Sequence, residues 1–129
     1  KRLKIYYKFF CFNGEPRIIL VCTNRFSNDG LQENFYDINW NLLEVQRPTH
    51  RNSKTSIDRP RNIDNMLYLA RKLSENIPFV RIDFYDVNGK IYFGEITFFP
   101  ASGFEEFKPQ EWDLKLGEWI KLPLPNNWE

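Results

Sequence analysis

Arg81-Ile82-Asp83-Phe84-Tyr85-Asp86-Val87-Asn88-Gly89-Lys90-Ile91-Tyr92-Phe93-Gly94-Glu95-Ile96-Thr97-Phe98-Phe99-Pro100 decides the reading of this chain. Its composition is that of two β-strands, rich in β-branched and aromatic residues, joined by an Asn-Gly turn. Side chains alternate across a strand, so Val80, Ile82 and Phe84 share one face and Arg81, Asp83 and Tyr85 the other. On the return strand Tyr92, Gly94, Ile96 and Phe98 alternate with Phe93, Glu95 and Thr97. A two-residue turn at Asn88-Gly89 pairs Asp83 with Gly94 and puts Asp83 and Glu95 on opposite faces. A three-residue turn, Val87-Asn88-Gly89 with glycine in a left-handed bulge, pairs Arg81 with Glu95 and keeps both carboxylates together. Only that register frees the apolar face of carboxylates, and register follows the buried pattern. The expectation is therefore the bulged hairpin.

Two carboxylates on one face repel each other unless a cation lies between them. Carboxylate oxygens are hard ligands of the kind Mg²⁺ prefers, usually shared with water and substrate phosphates. Arg81 could hold Glu95 in place or grip an anionic substrate through two parallel hydrogen bonds. The same face also reads as a solvated surface with an ordinary Arg–Glu cross-strand pair.

Working outward, Lys4–Phe12 and Arg17–Thr23 read as a first hairpin around Asn13-Gly14-Glu15-Pro16, apolar on both faces and hence covered on both sides. Arg25–Glu33 reads as a polar loop, followed by short strands at Asn34–Asn39 and Leu42–Val45. Gln46–Arg61 reads as a mobile basic loop. Asn62 caps the clearest helix, in which Ile63, Met66, Leu67, Ala70 and Leu73 recur at helical spacing until Pro78. That stripe is expected to pack on Val80, Ile82 and Ile96. A short helix is expected near Pro109, and the Leu122-Pro123-Leu124-Pro125 tail cannot join a central strand. The fold class is thus α+β, a mostly antiparallel sheet with a packed helix, in one domain spanning residues 1–129.

Composition narrows the function. The chain has 129 residues and a net charge of +1, with its basic residues spread out, which points away from nucleic-acid and membrane-surface binding. No apolar run is long enough for a membrane-spanning helix. Cys11 and Cys22 lie in apolar runs out of register with each other, so they read as buried thiols of a reducing cytoplasm. His50 has no Cys or His partner nearby to make a zinc site. Lys8 is the only charge in Tyr6-Tyr7-Lys8-Phe9-Phe10-Cys11-Phe12; it reads either as an edge lysine that blocks pairing with other chains or as a ligand for an anion.

Arg-x-Asp, an Asn-Gly turn and Gly94-Glu95-Ile96-Thr97-Phe98-Phe99-Pro100 together resemble the end of an ATP-grasp domain. More narrowly, Tyr7-Lys8-Phe9-Phe10-Cys11-Phe12-Asn13-Gly14, Asn34-Phe35-Tyr36-Asp37, Trp40-Asn41-Leu42-Leu43, Pro78-Phe79-Val80-Arg81, Trp112-Asp113, Leu116-Gly117 and Trp119-Ile120 resemble the TupA-like ATP-grasp family. That family is linked to teichuronopeptide and other bacterial surface polysaccharides. The resemblance implies an ATP-grasp C-terminal subdomain, with ATP and Mg²⁺ as cofactors and the metal held by Asp83, Glu95 and Thr97. Thr97 stands where most ATP-grasp enzymes place a metal-binding Asn, and Ala101 where Gly commonly follows the proline. Lys8 is then directed at nucleotide phosphates or an acyl-phosphate, and Arg81 joins it as fixed positive charge in catalysis.

The implied reaction is ATP-dependent ligation: a carboxylate substrate, such as a uronic-acid polysaccharide, attacks the γ-phosphate, and an amine opens the acyl-phosphate. Complete ATP-grasp enzymes are longer, so the chain reads as the C-terminal portion of a larger protein. The alternatives are a non-catalytic partner-binding module and a glycosyltransferase; the chain lacks the Asp-x-Asp motif common in the latter. Ser102 and Gly103 could approach a substrate or form a plain turn. Glu105 and Glu106 read as solvated charges. Trp40, Trp112, Trp119 and Trp128 read as packing residues sooner than sugar platforms. Arg47, Arg51 and Arg59 read as an exposed basic loop, with an anionic polymer as their conceivable partner.

Overall fold

The computed structural model describes residues 4–23, 32–44 and 57–98. Five antiparallel strands form one sheet: β1 (Lys4–Phe12), β2 (Glu15–Thr23), β3 (Gln32–Tyr36), β4 (Phe79–Val87) and β5 (Lys90–Thr97), in the order β3-β2-β1-β4-β5. One helix, α1 (Ile63–Ser74), lies between β3 and β4 in sequence. The α+β reading holds. His50, Arg47, Arg51, Ser102, Gly103, Glu105, Glu106, the helix near Pro109, the three later tryptophans and the proline tail lie outside the described residues.

The first hairpin turns in two residues, Asn13 and Gly14, both with positive φ, as the turn matching strand twist requires. A bulge between Phe10 and Cys11 absorbs one residue of β2, so Phe10 faces Ile18 and Cys11 faces Pro16. Because β1 and β2 are apolar on both sides, the sheet carries two cores. On the helix side Tyr7, Phe9, Ile19, Val21, Val80, Ile82 and Phe84 pack against Ile63, Met66, Leu67 and Ala70. On the other side Phe10, Phe12, Ile18, Leu20, Cys22 and Phe35 form a second cluster. Each large aliphatic side chain or phenyl ring among them taken from water contributes roughly 1.5–3 kcal/mol. Cys11 and Cys22 fall on opposite faces, buried and outside any disulfide.

Two expectations for α1 change at its ends. Asn62 is the N-cap residue, but its side chain makes no capping bond; it donates instead to the Gly89 carbonyl at 2.9 Å, tying the helix start to the β4–β5 turn. Leu73 is partly exposed, and Ser74 is buried in its place, its hydroxyl donating to the Ala70 carbonyl at 2.7 Å. At ~100° per residue, Ser74 lies about 20° from Ile63 around the helix and Leu73 about 80° away, at the edge of the buried stripe. The helix lies over β1, β2 and β4. Ile96, on edge strand β5, is consequently exposed and not beneath α1.

Between β3 and α1, Asp37 accepts from the backbone N–H groups of Asn39 and Asn41, both at 2.9 Å. Trp40, at φ 67, stacks on Tyr36 with ring centroids 4.2 Å apart. Its indole donates to the Ile57 carbonyl at 2.7 Å, and the Ile57 N–H donates to the Tyr36 hydroxyl at 2.8 Å. Trp40 is thus a packing residue. Among the described residues, which end at Glu44 here, the expected strands around it reduce to β3, which already includes Gln32 and Glu33, and a single bridge between Tyr36 and Leu42.

Candidate functional site

The β4–β5 hairpin departs from its expected register. The turn has two residues, Asn88 and Gly89, both with positive φ, and Val87 pairs with Lys90. Asp86 closes it by accepting from the Gly89 N–H at 2.6 Å. The bulge lies further along, where Gly94 is the additional residue: Phe84 faces Phe93, and Asp83 faces Glu95. Arg81 therefore pairs with Thr97, not with Glu95. The displaced bulge still puts both carboxylates on one face, since one extra residue at either position restores the alternation. It also changes the companions. Tyr92, Glu95 and Thr97 share the polar face, whereas Phe93, Ile96 and Phe98 share the other.

Glycine at the bulge has a steric cause. A Cβ at position 94 would lie 3.1 Å from the Asp83 carbonyl oxygen and 3.5 Å from the Asp83 Cβ. Gly94 thus lets β5 approach the strand segment that carries Asp83. A glycine inside a strand pattern signals a bulge, and here that signal was available in the sequence.

Register across the sheet aligns a row Phe35–Leu20–Lys8–Asp83–Glu95 over all five strands. A second row, Glu33–Cys22–Tyr6–Tyr85–Tyr92, runs beside it. Lys8, Asp83, Glu95, Tyr6 and Tyr85 line an open hollow of ≈ 330 Å³. Tyr85 and Tyr92 stack at 5.4 Å, and the Lys4 ammonium lies 4.4 Å from the Tyr85 ring centre. Those ring faces are turned to one another and to lysines.

Asp83 is held by Arg81 through two parallel bonds: Nε to Oδ1 at 2.9 Å and Nη2 to Oδ2 at 3.0 Å. Both side chains are buried, whereas Glu95, whose Oε1 lies 3.8 Å from the same Nη2, is 65% exposed. Burial pushes the Asp83 carboxyl above its ordinary range; Arg81's charge and hydrogen bonding oppose this, as does Lys8, and Glu95 adds to it. Lys8 lies on β1, the central strand, which removes its reading as an edge lysine. Among the described residues its ammonium makes no ion pair, although Asp83 stands opposite it. Of the three loop arginines, only Arg59 is described, and it pairs with Asp64 at 3.2 Å.

A family model described as TupA-like ATPgrasp matches residues 2–121. The chain belongs to the TupA-like ATP-grasp family. No curated protein and no solved structure matches it. ATP-grasp proteins generally use ATP and Mg²⁺. Among the described residues no three His, Cys, Asp or Glu side chains gather in a metal-holding group. The donor set is two opposed carboxylates with a Thr hydroxyl on the same face. That set fits Mg²⁺, which keeps several waters and takes one or two carboxylates plus substrate phosphate. A guanidinium already lies between the carboxylates, so the site is one that attracts positive charge.

Proposed function

We propose that this family member is the C-terminal, metal- and phosphate-binding portion of an ATP- and Mg²⁺-dependent carboxylate–amine ligase, working in the cytoplasm on bacterial surface polysaccharide. The observation that carries this reading is the aligned Lys8–Asp83–Glu95 row with Arg81 beside it. Asp83, Glu95 and Thr97 would hold Mg²⁺, which when bound offsets negative charge on the phosphates. Lys8, on the central strand and lining the hollow, would meet a phosphate oxygen with its ammonium. Arg81 would supply a second positive charge for the oxygens of the acyl-phosphate. Chemistry of this kind is positioning and electrostatics, and it needs no nucleophilic side chain. The Cys11 thiol suits that view: burial pushes it up to about 12, so its thiolate is not available near neutrality.

The ligase chemistry and the carboxylate substrate, a uronic-acid polymer among the options, are supported by family membership. A second reading, a non-catalytic module, is favoured by the closed Arg81–Asp83 pair, which already neutralises the buried carboxylate. Calorimetric titration with Mg-ATP, on this chain and on a longer protein containing it, separates the two. Binding that disappears with Glu95→Gln supports the ligase; no binding by either protein supports the module.

A further inference from the structure

We propose that Arg81 is a built-in stand-in for the divalent cation: it bridges Asp83 and Glu95 until a cation binds there, and the cation then displaces it from Asp83. This rests on the reading that the two carboxylates hold a cation. Nη2 of Arg81 lies 3.0 Å from Asp83 Oδ2 and 3.8 Å from Glu95 Oε1, so one nitrogen occupies the space between the paired carboxylates. Nε holds the remaining Asp83 oxygen at 2.9 Å, leaving the buried carboxylate fully engaged by one guanidinium.

The cation and the guanidinium compete for the same oxygens. A magnesium ion sits about 2.0–2.1 Å from a carboxylate oxygen. Nη2 holds Asp83 Oδ2 at 3.0 Å on the side that faces Glu95, so a cation that takes both carboxylates from there meets the guanidinium charge and is repelled by it. Glu95 is the solvent-facing member of the pair, so a cation reaches the site from its side, through the hollow. Displacement turns Arg81 from a partner of the protein's own carboxylate into a positive charge free for a substrate anion. Arg81 thereby couples the two binding events.

Manganese ion serves as the probe, its free fraction read by electron paramagnetic resonance on the 129-residue chain. Arg81→Gln should bind Mn²⁺ on the order of tenfold more tightly than wild type, since the competing charge is gone. Its melting temperature, lowered without metal, should rise more on adding Mn²⁺ than that of wild type. Should Arg81→Gln not fold, the wild-type Arg81 Nε–H resonance, followed during Mg²⁺ titration, should shift and exchange faster as its bond to Asp83 breaks. Unchanged or weaker Mn²⁺ affinity in Arg81→Gln, or an Nε–H signal that Mg²⁺ leaves unmoved, overturns the displacement. If Glu95→Gln still abolishes Mn²⁺ binding in that case, the cation site stands and only the role of Arg81 falls. Absence of Mn²⁺ binding in both wild type and Arg81→Gln overturns the cation site together with the displacement.

Discussion

Gly94 decides where Asp83 and Glu95 meet, because its missing side chain leaves room for the Asp83 backbone. Adding one carbon there brings a Cβ to 3.1 Å from the Asp83 carbonyl oxygen, a backbone atom with little freedom to retreat. Gly94→Ala is expected to cost roughly 1–3 kcal/mol of stability, as overpacking does. Urea unfolding measures this, and a loss within error would mean that β5 slides outward at no cost. Two further residues make the protein sensitive to alkali. Burial raises Tyr7 to about 12 from 10.0 and Cys11 to about 12 from 9.0. In the unfolded chain both protons leave first, so the native state binds more protons through that window and stability falls as pH rises from about 9 towards about 12. The double variant Tyr7→Phe, Cys11→Ala should show a shallower decline in melting temperature over that range. Parallel curves for the variant and wild type would remove these two groups as the cause.

At the scale of elements, α1 shows what periodicity can and cannot reveal. Ile63, Met66, Leu67 and Ala70 were legible as a buried stripe, and all four are buried. Leu73 was misjudged because apolar character outweighed phase, whereas the helix buries Ser74 and satisfies its hydroxyl on the preceding turn. Leu67→Ala should therefore lose 2–5 kcal/mol or about that, clearly more than Leu73→Ala or Lys72→Ala. Thermal unfolding of the three variants checks this, and equal losses would mean that the wrong face is inward. The hairpin teaches a related lesson. Alternation showed that the carboxylates must share a face, because the buried side tolerates no charge. It did not show which residue breaks the alternation, since a bulge at the turn and a bulge at Gly94 satisfy the same pattern. Only the observed pairing separates Arg81–Glu95 from Arg81–Thr97. Lys8 was ambiguous for a similar reason: strand order, which places β1 at the centre, is a long-range property that no local window carries.

The whole molecule divides its labour between the two faces of the sheet. The helix covers one face over β1, β2 and β4, anchoring the strands that carry Lys8 and Asp83. The opposite face changes from an aromatic cluster around Phe10 and Phe35 to the open hollow at Asp83 and Glu95. Lys8 and Asp83 thus stand on interior strands, and the solvent-facing carboxylate of Glu95 stands on an edge strand. Under the proposed function, this arrangement sets the expected outcome of removing one charge at a time. Glu95→Gln is nearly isosteric and solvent-facing, so the melting temperature should barely change while Mg²⁺-dependent ATP turnover falls sharply, by on the order of 10²-fold or more. Lys8→Ala should also lower turnover, and added Mg²⁺ should not restore it, because the contact proposed for Lys8 is to phosphate and not to metal. Glu75→Gln, an exposed carboxylate at the end of α1, serves as the internal control and should leave turnover unchanged. A steady-state assay across Mg²⁺ concentrations distinguishes these variants. Equal, small effects of Glu95→Gln and Glu75→Gln would reduce the polar face of β4 and β5 to ordinary surface, with Arg81 and Asp83 a structural pair beneath it.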